Sequence, residues 1–469
     1  MKPWSICLIA TSLFAVPLGC ADTVDELPPP PSQGDNPSPG TSGNGGSEDH
    51  ENGGNTSHPG NTNGDTGNTG SGGQTGDSGT SSSMTQAEEW ARKRIAHTVS
   101  TEEAFNAIAY DTGFPVLTRQ NTVIFMHWYE GGSWSVAGGF NQWNPQPMTQ
   151  DGDIWYAEVP IPENTTDLGY KFVNTEGNAQ EYVADPWALR QNYDENGELS
   201  YLSKPTVPHL MRWNNFKSPE GLSTRAIRAY IPANDGPYDV VYAHDGQNLF
   251  ENTDASWKLP SAMAQINGNF LVVGIDNTPE RFSEYTHVDD TIEFFGSTLD
   301  VKANGDNYAH FVDQTVRPFI ESKFSTTSKA AVMGSSLGGL ISLYIAHRYP
   351  GRYKAALALS PTTAWGDFTL HQKTIQKIYE EQGHQSTAIY VDWGGNEGSG
   401  CKNNSSDALE DENSRDNHCY SSNFVQALKN LGYIENVDLK YVYDANALHN
   451  EAAWASRVSV PLSFFMSLK

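Results

Sequence analysis

The sequence predicts an α/β fold: an open sheet covered by helices on both faces, preceded by a smaller all-β sandwich. From residue 225 onward, short apolar runs such as "YDVVYAHDG" and "KAAVMGSS" alternate with helical segments, for example 338–348. Between residues 121 and 175, short runs rich in aromatic and branched residues are broken by Gly, Asn and Pro, as in a small antiparallel sandwich. We therefore expect two folded parts, residues 85–205 and 206–469.

The chain begins with a predicted export signal. Residues 1–20 combine an early lysine, an apolar stretch and small residues before Cys20, which is typical of a secretory signal peptide. The ending Leu-Gly-Cys resembles a bacterial lipobox, in which the cysteine is lipidated and becomes the mature N-terminus. Pro17 stands where a lipobox usually has an aliphatic residue, so plain secretion is the alternative. We expect the chain to be exported. It is then either lipid-anchored at the cell envelope, with the outer membrane as the expected site, or secreted.

Residues 21–84 predict a disordered linker. They are dominated by Gly, Asn, Ser, Thr, Pro and Asp, and they cannot bury enough apolar surface to offset the conformational entropy of the chain. Nine of the 56 acidic residues lie in this stretch, so the net charge of −27 is partly a property of the linker. That charge argues against nucleic acid or an anionic membrane surface as a partner, which leaves the lipid anchor as the expected membrane contact.

The stretch "VMGSSLGGLISLYIAHRYP" contains the pattern Gly334-x-Ser336-x-Gly338 between a predicted strand and a predicted helix. G-x-S-x-G places a serine on a tight strand-to-helix turn, where flanking glycines remove the Cβ clashes that the turn would create. Ser336 is therefore the candidate nucleophile. The pattern is weak in a chain rich in Gly and Ser, so it needs a base, an acid and an oxyanion hole to support it.

Four stretches of the second part form a recognisable set: "VVYAHDGQNLF", "VVGIDNTPERFSEYT", "GSSLGGLISLYIAHRYPGRYKAALALSP" and "ALHNEAAW". They resemble, in the same order, the putative-esterase family of α/β-hydrolases. This family groups enterochelin esterases, feruloyl and acetyl-xylan esterases, and the S-formylglutathione hydrolase type. The resemblance covers residues 206–469 and implies an α/β-hydrolase sandwich that cleaves carboxylic esters through an acyl-enzyme.

The order Ser, acid, His of α/β-hydrolases identifies the base. His449 follows a predicted strand, precedes the last helix and matches the family's H-N-E-x-x-W motif. We place His347 at the surface, and His371 and His384 in a polar helical stretch.

The acid has three candidates. The family's acid stands three residues after a glycine, which aligns Glu397 with Gly394, while Asp392 and Asp416 are alternatives. The acid accepts a hydrogen bond from the histidine, sets its tautomer and stabilises the imidazolium.

The oxyanion hole needs two N–H donors. One is the amide of Leu337, directly after the nucleophile, and the other is the amide of Gly246 or Gln247 in "HDGQNLF". We expect His244 and Asp245 to brace this loop. The family's R-x-x-E-Y motif matches Arg281, Glu284 and Tyr285, which the resemblance places in the pocket wall or behind it.

The sequence predicts no metal and no cofactor. No His, Asp and Glu residues have metal-ligand spacing, and no lysine follows Gly338-Gly339 as a phosphate loop requires. We interpret the acidic pair Asp289 and Asp290 as a solvated face. Cys401 and Cys419 form an even pair in an exported chain, which predicts a disulfide bond.

The front part, after a helical lead-in over 86–109, resembles the immunoglobulin-like modules that precede isoamylases and the glycogen-binding module of a kinase regulatory subunit. Trp143, Lys171 and Tyr182 fall where the glycogen-binding relatives hold two stacking aromatics and a lysine, with Tyr in place of the second Trp. Trp155 is expected in the core. Many such modules only pack against an enzyme, so a spacer or lid role is the alternative to sugar binding.

Together these observations predict an exported serine carboxylester hydrolase. Export and the front module favour acyl or feruloyl esters of polysaccharides as the substrate. Two alternatives stay open: an enterochelin or siderophore-type esterase, and a non-catalytic carbohydrate-binding lipoprotein with a decayed hydrolase domain.

Overall fold

The computed structural model of the chain describes residues 84–177, 180–294, 297–395 and 418–469. The predicted signal peptide, the lipidation site Cys20 and nearly all of the predicted linker lie outside these ranges, as do three predicted site residues, which are Glu397, Cys401 and Asp416.

Two helices form the lead-in, as the sequence predicts: α1 (Gln86–Ile95) and α2 (Thr101–Tyr110). Ser100 caps α2 in a capping box with Glu103, which satisfies N–H groups at the start of the helix. The buried Arg94 of α1 donates to Asp153 at 2.7 Å and so fastens the lead-in to the strands that follow.

Ten short strands lie within residues 84–177 and 180–205, the described residues of the front part. They are β1 (Val116–Leu117), β2 (Thr122–Trp128), β3 (Trp134–Gly138), β4 (Gln146–Pro147), β5 (Thr149–Asp151), β6 (Ile154–Pro160), β7 (Gly169–Asn174), β8 (Glu181–Val183), β9 (Arg190–Asp194) and β10 (Gly197–Tyr201). One sheet has the order β1-β2-β6-β5, and β3, β7 and β8 belong to another. Side chains of both sheets meet in one apolar cluster that includes Phe125, Trp155 and Phe172, so the prediction of a buried Trp155 is confirmed. The immunoglobulin-like identity of this part stays a prediction.

Ten further strands lie in the second part, within residues 206–294, 297–395 and 418–469. They are β11 (His209–Phe216), β12 (Arg225–Ile231), β13 (Tyr238–His244), β14 (Phe270–Ile275), β15 (Asp290–Phe294), β16 (Ser297–Val301), β17 (Thr326–Ser335), β18 (Ala355–Leu359), β19 (Ala388–Trp393) and β20 (Leu439–Tyr443). The main sheet has the order β20-β19-β18-β17-β13-β14-β12-β11, in which β14, β13 and β17 to β20 run parallel. Each apolar run predicted as a strand is a strand. The same sheet continues from β11 through β9, β10, β7 and β3 to β4, which the sequence did not predict.

Helices cover both faces of the main sheet. They are α3 (Leu259–Met263), α4 (Arg281–Glu284), α5 (Gly305–His310), α6 (Arg317–Lys323), α7 (Leu337–Arg348), α8 (Ile375–Gln382), α9 (His418–Asn430), α10 (Glu451–Arg457) and α11 (Ser459–Ser467). Successive residues of β13 point to opposite faces of the sheet, each of which has its own apolar core. Tyr242 belongs to the core that includes residues of α5 to α9, and Val241 belongs to the core that includes residues of α3, α10 and α11. The predicted α/β sheet with two covered faces is therefore present.

The acidic pair was predicted wrongly for Asp290. Its side chain is fully buried at the start of β15. It accepts the N–H of its neighbour Thr291 and four backbone N–H groups of a distant loop, those of Gly366, Phe368, Thr369 and Leu370. Asp289, in contrast, forms an ion pair with Lys302. A carboxylate that organises a loop distant in sequence looks like a surface residue when only its neighbours in the chain are considered.

The histidines that were set aside also differ in part from the prediction. His347 is half-buried between Tyr344 and Tyr379, so it is only partly exposed and not fully at the surface. His371 and His384 lie outside α8, in the loop before it and in the segment after it.

Candidate active site

Ser336 lies on the turn between β17 and α7 with φ 57° and ψ −125°. This backbone conformation is strained for a residue with a side chain, and such strain is concentrated at functional sites. A Cβ on Gly334 would lie 2.5 Å from the carbonyl group of Gly338, so no side chain fits there. Gly334 is thus required by close backbone approach, as a nucleophile elbow requires, whereas a Cβ on Gly338 would lie 3.2 Å from Asp245 Oδ2.

Leu337 is the first residue of α7, a 12-residue helix that begins immediately after the elbow. The first N–H groups of a helix have no acceptor within it, and the helix dipole makes this end partially positive. The predicted donor Leu337 is therefore at a helix end suited to a developing negative charge.

The second predicted donor lies in a 3₁₀ turn, Gly246–Asn248, at the carboxyl end of β13. A Cβ on Gly246 would lie 2.6 Å from Asp276 Oδ1 and 2.6 Å from the carbonyl carbon of Gly274. The backbone of Gly246 therefore packs directly on the end of β14. Its neighbour Gln247 accepts the N–H of Asn277 through Oε1 at 3.1 Å.

A buried ion pair holds this turn. Arg281 is fully buried and its guanidinium donates twice to Asp245, from Nε to Oδ1 at 2.7 Å and from Nη2 to Oδ2 at 2.9 Å. Burial raises the pKa of Asp245, but the Arg281 guanidinium outweighs that effect and holds it below its ordinary value. Tyr285 Oη accepts the Asp245 N–H at 3.3 Å, so residues of the R-x-x-E-Y motif lie behind the loop.

His244 is also part of this support. Its Nδ1 lies 2.9 Å from Tyr308 Oη, and burial lowers the pKa of His244 to about 3. The imidazole is therefore neutral at physiological pH and is held inside the core.

His449 lies between β20 and α10, and the other residues of its motif H-N-E-x-x-W each have a structural role nearby. Asn450 caps α10 by accepting the N–H of Ala453, and Trp454 packs edge-on against the His449 ring at 5.1 Å between centroids. The pKa of the buried Glu451 is raised by burial and by the nearby Asp245 carboxylate. Glu451 Oε1 also lies 3.4 Å from Nδ2 of Asn248, so the segment that carries His449 contacts the 3₁₀ turn Gly246–Asn248.

The segment that carries His449 contacts the beginning of the predicted acid loop. A Cβ on Gly394 would lie 2.2 Å from the carbonyl oxygen of Ala447, so the two backbones pack directly on each other. Asp444 also donates its N–H to the carbonyl of Trp393 at 3.1 Å. Gly394 is three residues before Glu397 and Ala447 is two residues before His449.

Among the acid candidates, Asp392 is the one within the described ranges. It is fully buried at the end of β19, where it accepts the N–H of Ser360 at 3.0 Å and the hydroxyl of Tyr390 at 2.9 Å. Arg457 Nε lies 3.1 Å from Asp392 Oδ1, and Arg457 also donates to the Ser360 hydroxyl at 2.7 Å. These contacts join β18, β19 and α10, and the identity of the triad acid stays a prediction.

Thr362 is a site residue that the sequence analysis missed. Its Oγ1 lies 3.4 Å from Oγ of Ser336, and its N–H donates to the Ser336 carbonyl at 3.1 Å. The available signal was its position, just after β18, because neighbouring parallel strands end at the same edge of a sheet.

The three predicted sugar-binding residues are placed differently from one another. Lys171 is buried and donates from Nζ to the carbonyl of Asn196 at 3.0 Å. Trp143 is half-buried and donates its indole N–H to Asp167, whereas Tyr182 is 40% exposed. The Lys171 ammonium is thus engaged inside the protein, and sugar binding stays a prediction.

Cys419 lies in the first turn of α9 and takes part in a disulfide bond. Its predicted partner, Cys401, is outside the described residues, so the pairing stays a prediction. Within the described ranges, no three His, Cys, Asp or Glu side chains are grouped to hold a metal ion, and no helix has the length and apolar composition of a membrane span.

Comparison with known proteins gives a family and three curated relatives, two of which are named for their activity. The family model described as "Putative esterase" matches residues 222–462, just over half of the chain. The siderophore triacetylfusarinine C esterase of Aspergillus fumigatus is 26% identical over 165 residues, covering 34% of this chain and 56% of the relative. The ferri-bacillibactin esterase BesA of Bacillus subtilis is 25% identical over 150 residues, covering 29% of this chain and 52% of the relative. The chain thus spans just over half the length of these relatives.

Solved structures give weaker similarities. An IroE-like serine hydrolase from Shewanella oneidensis is 18% identical with a TM-score of 0.42, covering 55% of this chain and 79% of that one. The enterobactin esterase FES from Shigella flexneri is 15% identical with a TM-score of 0.39, covering 74% of this chain and 92% of that one. Both TM-scores are below 0.5, and no conclusion depends on them.

Proposed function

The chain belongs to the putative esterase family, a family of carboxylic ester hydrolases, and from that premise we propose that it hydrolyses small-molecule esters of the siderophore class through a serine acyl-enzyme. The observation that carries the proposal is the strained turn that holds Ser336 at the start of α7. This turn follows β17, and the turn of Gly246 follows the neighbouring parallel strand β13. The named relatives act on siderophores, which favours this alternative over the polysaccharide esters that the sequence favoured.

Acylation is the first half of the proposed reaction. Ser336 Oγ attacks the ester carbonyl carbon while its proton passes to His449. The carbonyl oxygen becomes an oxyanion that accepts the N–H of Leu337 and that of Gly246 or Gln247. When the intermediate collapses, the bond between carbon and the leaving oxygen breaks, and His449 returns the proton to the departing alcohol.

Deacylation repeats these steps with water. His449 takes a proton from water, the hydroxide oxygen attacks the acyl carbon, and the bond to Ser336 Oγ breaks as the serine regains its proton. The products are a carboxylic acid and the free enzyme. We assign the acid of the triad to Glu397, and the support is the direct packing of Gly394 on Ala447.

The test is hydrolysis of triacetylfusarinine C and of ferric bacillibactin by the purified full chain, with products identified by mass spectrometry. Acetylated xylan serves as the competing substrate, and Ser336→Ala is the control for the site. We expect cleavage of a siderophore ester by the wild type and none by Ser336→Ala. Cleavage of xylan esters alone would overturn the substrate class. Siderophore binding without any cleavage would show that the hydrolase domain has lost its activity and only binds its ligand, which would overturn the proposed hydrolysis.

We also propose that the chain is exported and anchored by a lipid on Cys20, on the basis of the sequence pattern before that residue. Labelling of cells with a palmitate analogue tests this. The wild-type chain should carry the label and sediment with membranes, and Cys20→Ser should do neither. An unlabelled wild-type chain in the culture medium would support plain secretion.

A further inference from the structure

A second hydroxyl lies beside the candidate nucleophile. Thr362 Oγ1 is 3.4 Å from Ser336 Oγ, and both side chains are buried, with 1% and 0% of their surface exposed. A separation of 3.4 Å is longer than a typical hydroxyl hydrogen bond, but contacts in an unliganded active site are often long and shorten during the reaction. Either oxygen can be the donor in this geometry.

The backbone around Thr362 is fixed from two sides. Its N–H donates to the Ser336 carbonyl at 3.1 Å, so the elbow itself holds the residue. On the other side, Ser360 donates its N–H to Asp392 and accepts a hydrogen bond from Arg457, which lies on the helix that follows His449. The backbone that carries the Thr362 hydroxyl is therefore fixed by the strands of the site, and the branched side chain has few rotamers available to it.

The chemistry indicates which hydroxyl donates. During acylation the Ser336 proton passes to His449, so Ser336 Oγ has no proton to give to Thr362, and it acquires partial negative charge. A hydroxyl that donates to that oxygen fixes its direction and stabilises the charge. We propose that Thr362 is a positioning residue that donates a hydrogen bond to Ser336 Oγ during acylation. This inference depends on the proposed role of Ser336 as nucleophile.

Valine at this position isolates the hydroxyl, because it keeps the branched shape and the backbone N–H of threonine. Thr363 provides the matched control. It is equally buried, and its Oγ1 contacts Ser421 Oγ at 3.3 Å, a comparable hydroxyl pair that does not involve the nucleophile.

The experiment measures the rate at which a fluorophosphonate labels the purified full chain. In this reaction Ser336 Oγ displaces fluoride from phosphorus and the serine proton passes to His449, so the rate reports on the nucleophile without an ester substrate. Loss of one neutral hydrogen bond predicts that Thr362→Val reacts about tenfold more slowly than the wild type. Thr362→Ser should recover most of the rate, and Thr363→Val should stay within about twofold of the wild type. Melting temperatures are measured for all variants.

Each outcome distinguishes this inference from the proposed function. A wild-type chain that is not labelled, under conditions that label a known serine esterase, overturns the nucleophile assignment and this inference with it. A labelled wild type with Thr362→Val reacting equally fast or faster overturns this inference alone, because the Thr362 hydroxyl would then not assist Ser336. Equal slowing in Thr362→Val and Thr363→Val, or no recovery in Thr362→Ser, would also overturn it, since the effect would come from packing.

Discussion

Replacing Gly246 by alanine should displace the predicted oxyanion donor without removing any catalytic side chain. The added Cβ would stand 2.6 Å from the carbonyl carbon of Gly274 and 2.8 Å from the backbone nitrogen of Ile275. Ordinary contact begins at 3.4 Å, so the turn must move by about 3.4 − 2.6 = 0.8 Å. These are backbone atoms of the central strand β14, so they cannot move away from the new Cβ as the end of a flexible side chain could. We therefore expect the Gly246 turn to shift, together with its N–H groups.

A shift of this size has a calculable effect on catalysis. Displacement of a positioned group by about 1 Å costs on the order of 100-fold in rate, and loss of one oxyanion donor costs about 100- to 1000-fold. We expect kcat/KM of Gly246→Ala to fall about 100-fold, which corresponds to roughly 2.7 kcal/mol of transition-state stabilisation. Overpacking should also lower the free energy of unfolding by about 1–3 kcal/mol.

A glycine of the front part separates these two effects. A Cβ on Gly138 would lie 2.5 Å from the carbonyl oxygen of Gly169, so Gly138→Ala creates a similar backbone clash far along the chain from the turn. Ester hydrolysis and urea unfolding are measured for both variants. Gly138→Ala should lose stability and keep kcat/KM within about threefold of the wild type. Full activity in Gly246→Ala would refute the assignment of the oxyanion donor to this turn.

Three further predictions concern the triad and the core. Ser336→Ala should reduce ester hydrolysis by several orders of magnitude, whereas Ser335→Ala should keep most of it; equal losses in a standard ester assay would contradict the elbow. Glu397→Gln should lower kcat far more than Asp392→Asn does. Asp392→Asn should instead lower the free energy of unfolding by about 3 kcal/mol, because it disrupts the buried ion pair with Arg457. A selective loss of kcat in Asp392→Asn would reverse the assignment of the acid. Between pH 6.5 and about 3, the unfolded chain binds a proton at His244 that the folded chain does not. The free energy of unfolding should therefore decrease as pH falls, by up to about 1.4 kcal/mol per pH unit. In urea unfolding at several pH values, the free energy of unfolding of His244→Gln should depend less steeply on pH.

The strands of the second part and the elbow could be anticipated because both depend on local patterns. Apolar runs such as "AALALSP" are buried on both faces of a parallel sheet, which makes them distinct in the sequence. Gly334 and Gly338 stand close to Ser336 in the chain, so the constraint that they satisfy is visible in five residues. His449 was accessible through its place after a strand and before a helix.

The features that the sequence analysis missed depend on contacts between residues distant in the chain. Asp290 accepts N–H groups from a loop that is 76 to 80 residues away, and nothing in its neighbours indicates this role. Thr362 approaches Ser336 only because β18 is the strand beside β17. The strands β9 and β10 are polar and half-buried, so they lack the apolar pattern by which strands are recognised.

The continuity of the sheet between the two parts has a practical consequence for anyone who truncates this chain. A boundary at residue 205 falls between β10 and β11, yet β11 pairs with β9 through Leu210–Gln191 and Met211–Arg190. A fragment that starts at residue 206 would therefore leave this side of β11 as an unprotected edge, and open edges recruit strands from other molecules. Such a fragment is expected to self-associate, and its failure to behave as a monomer would say nothing about the chemistry of Ser336. The front part thus protects the edge of the main sheet at β11 from pairing with other chains.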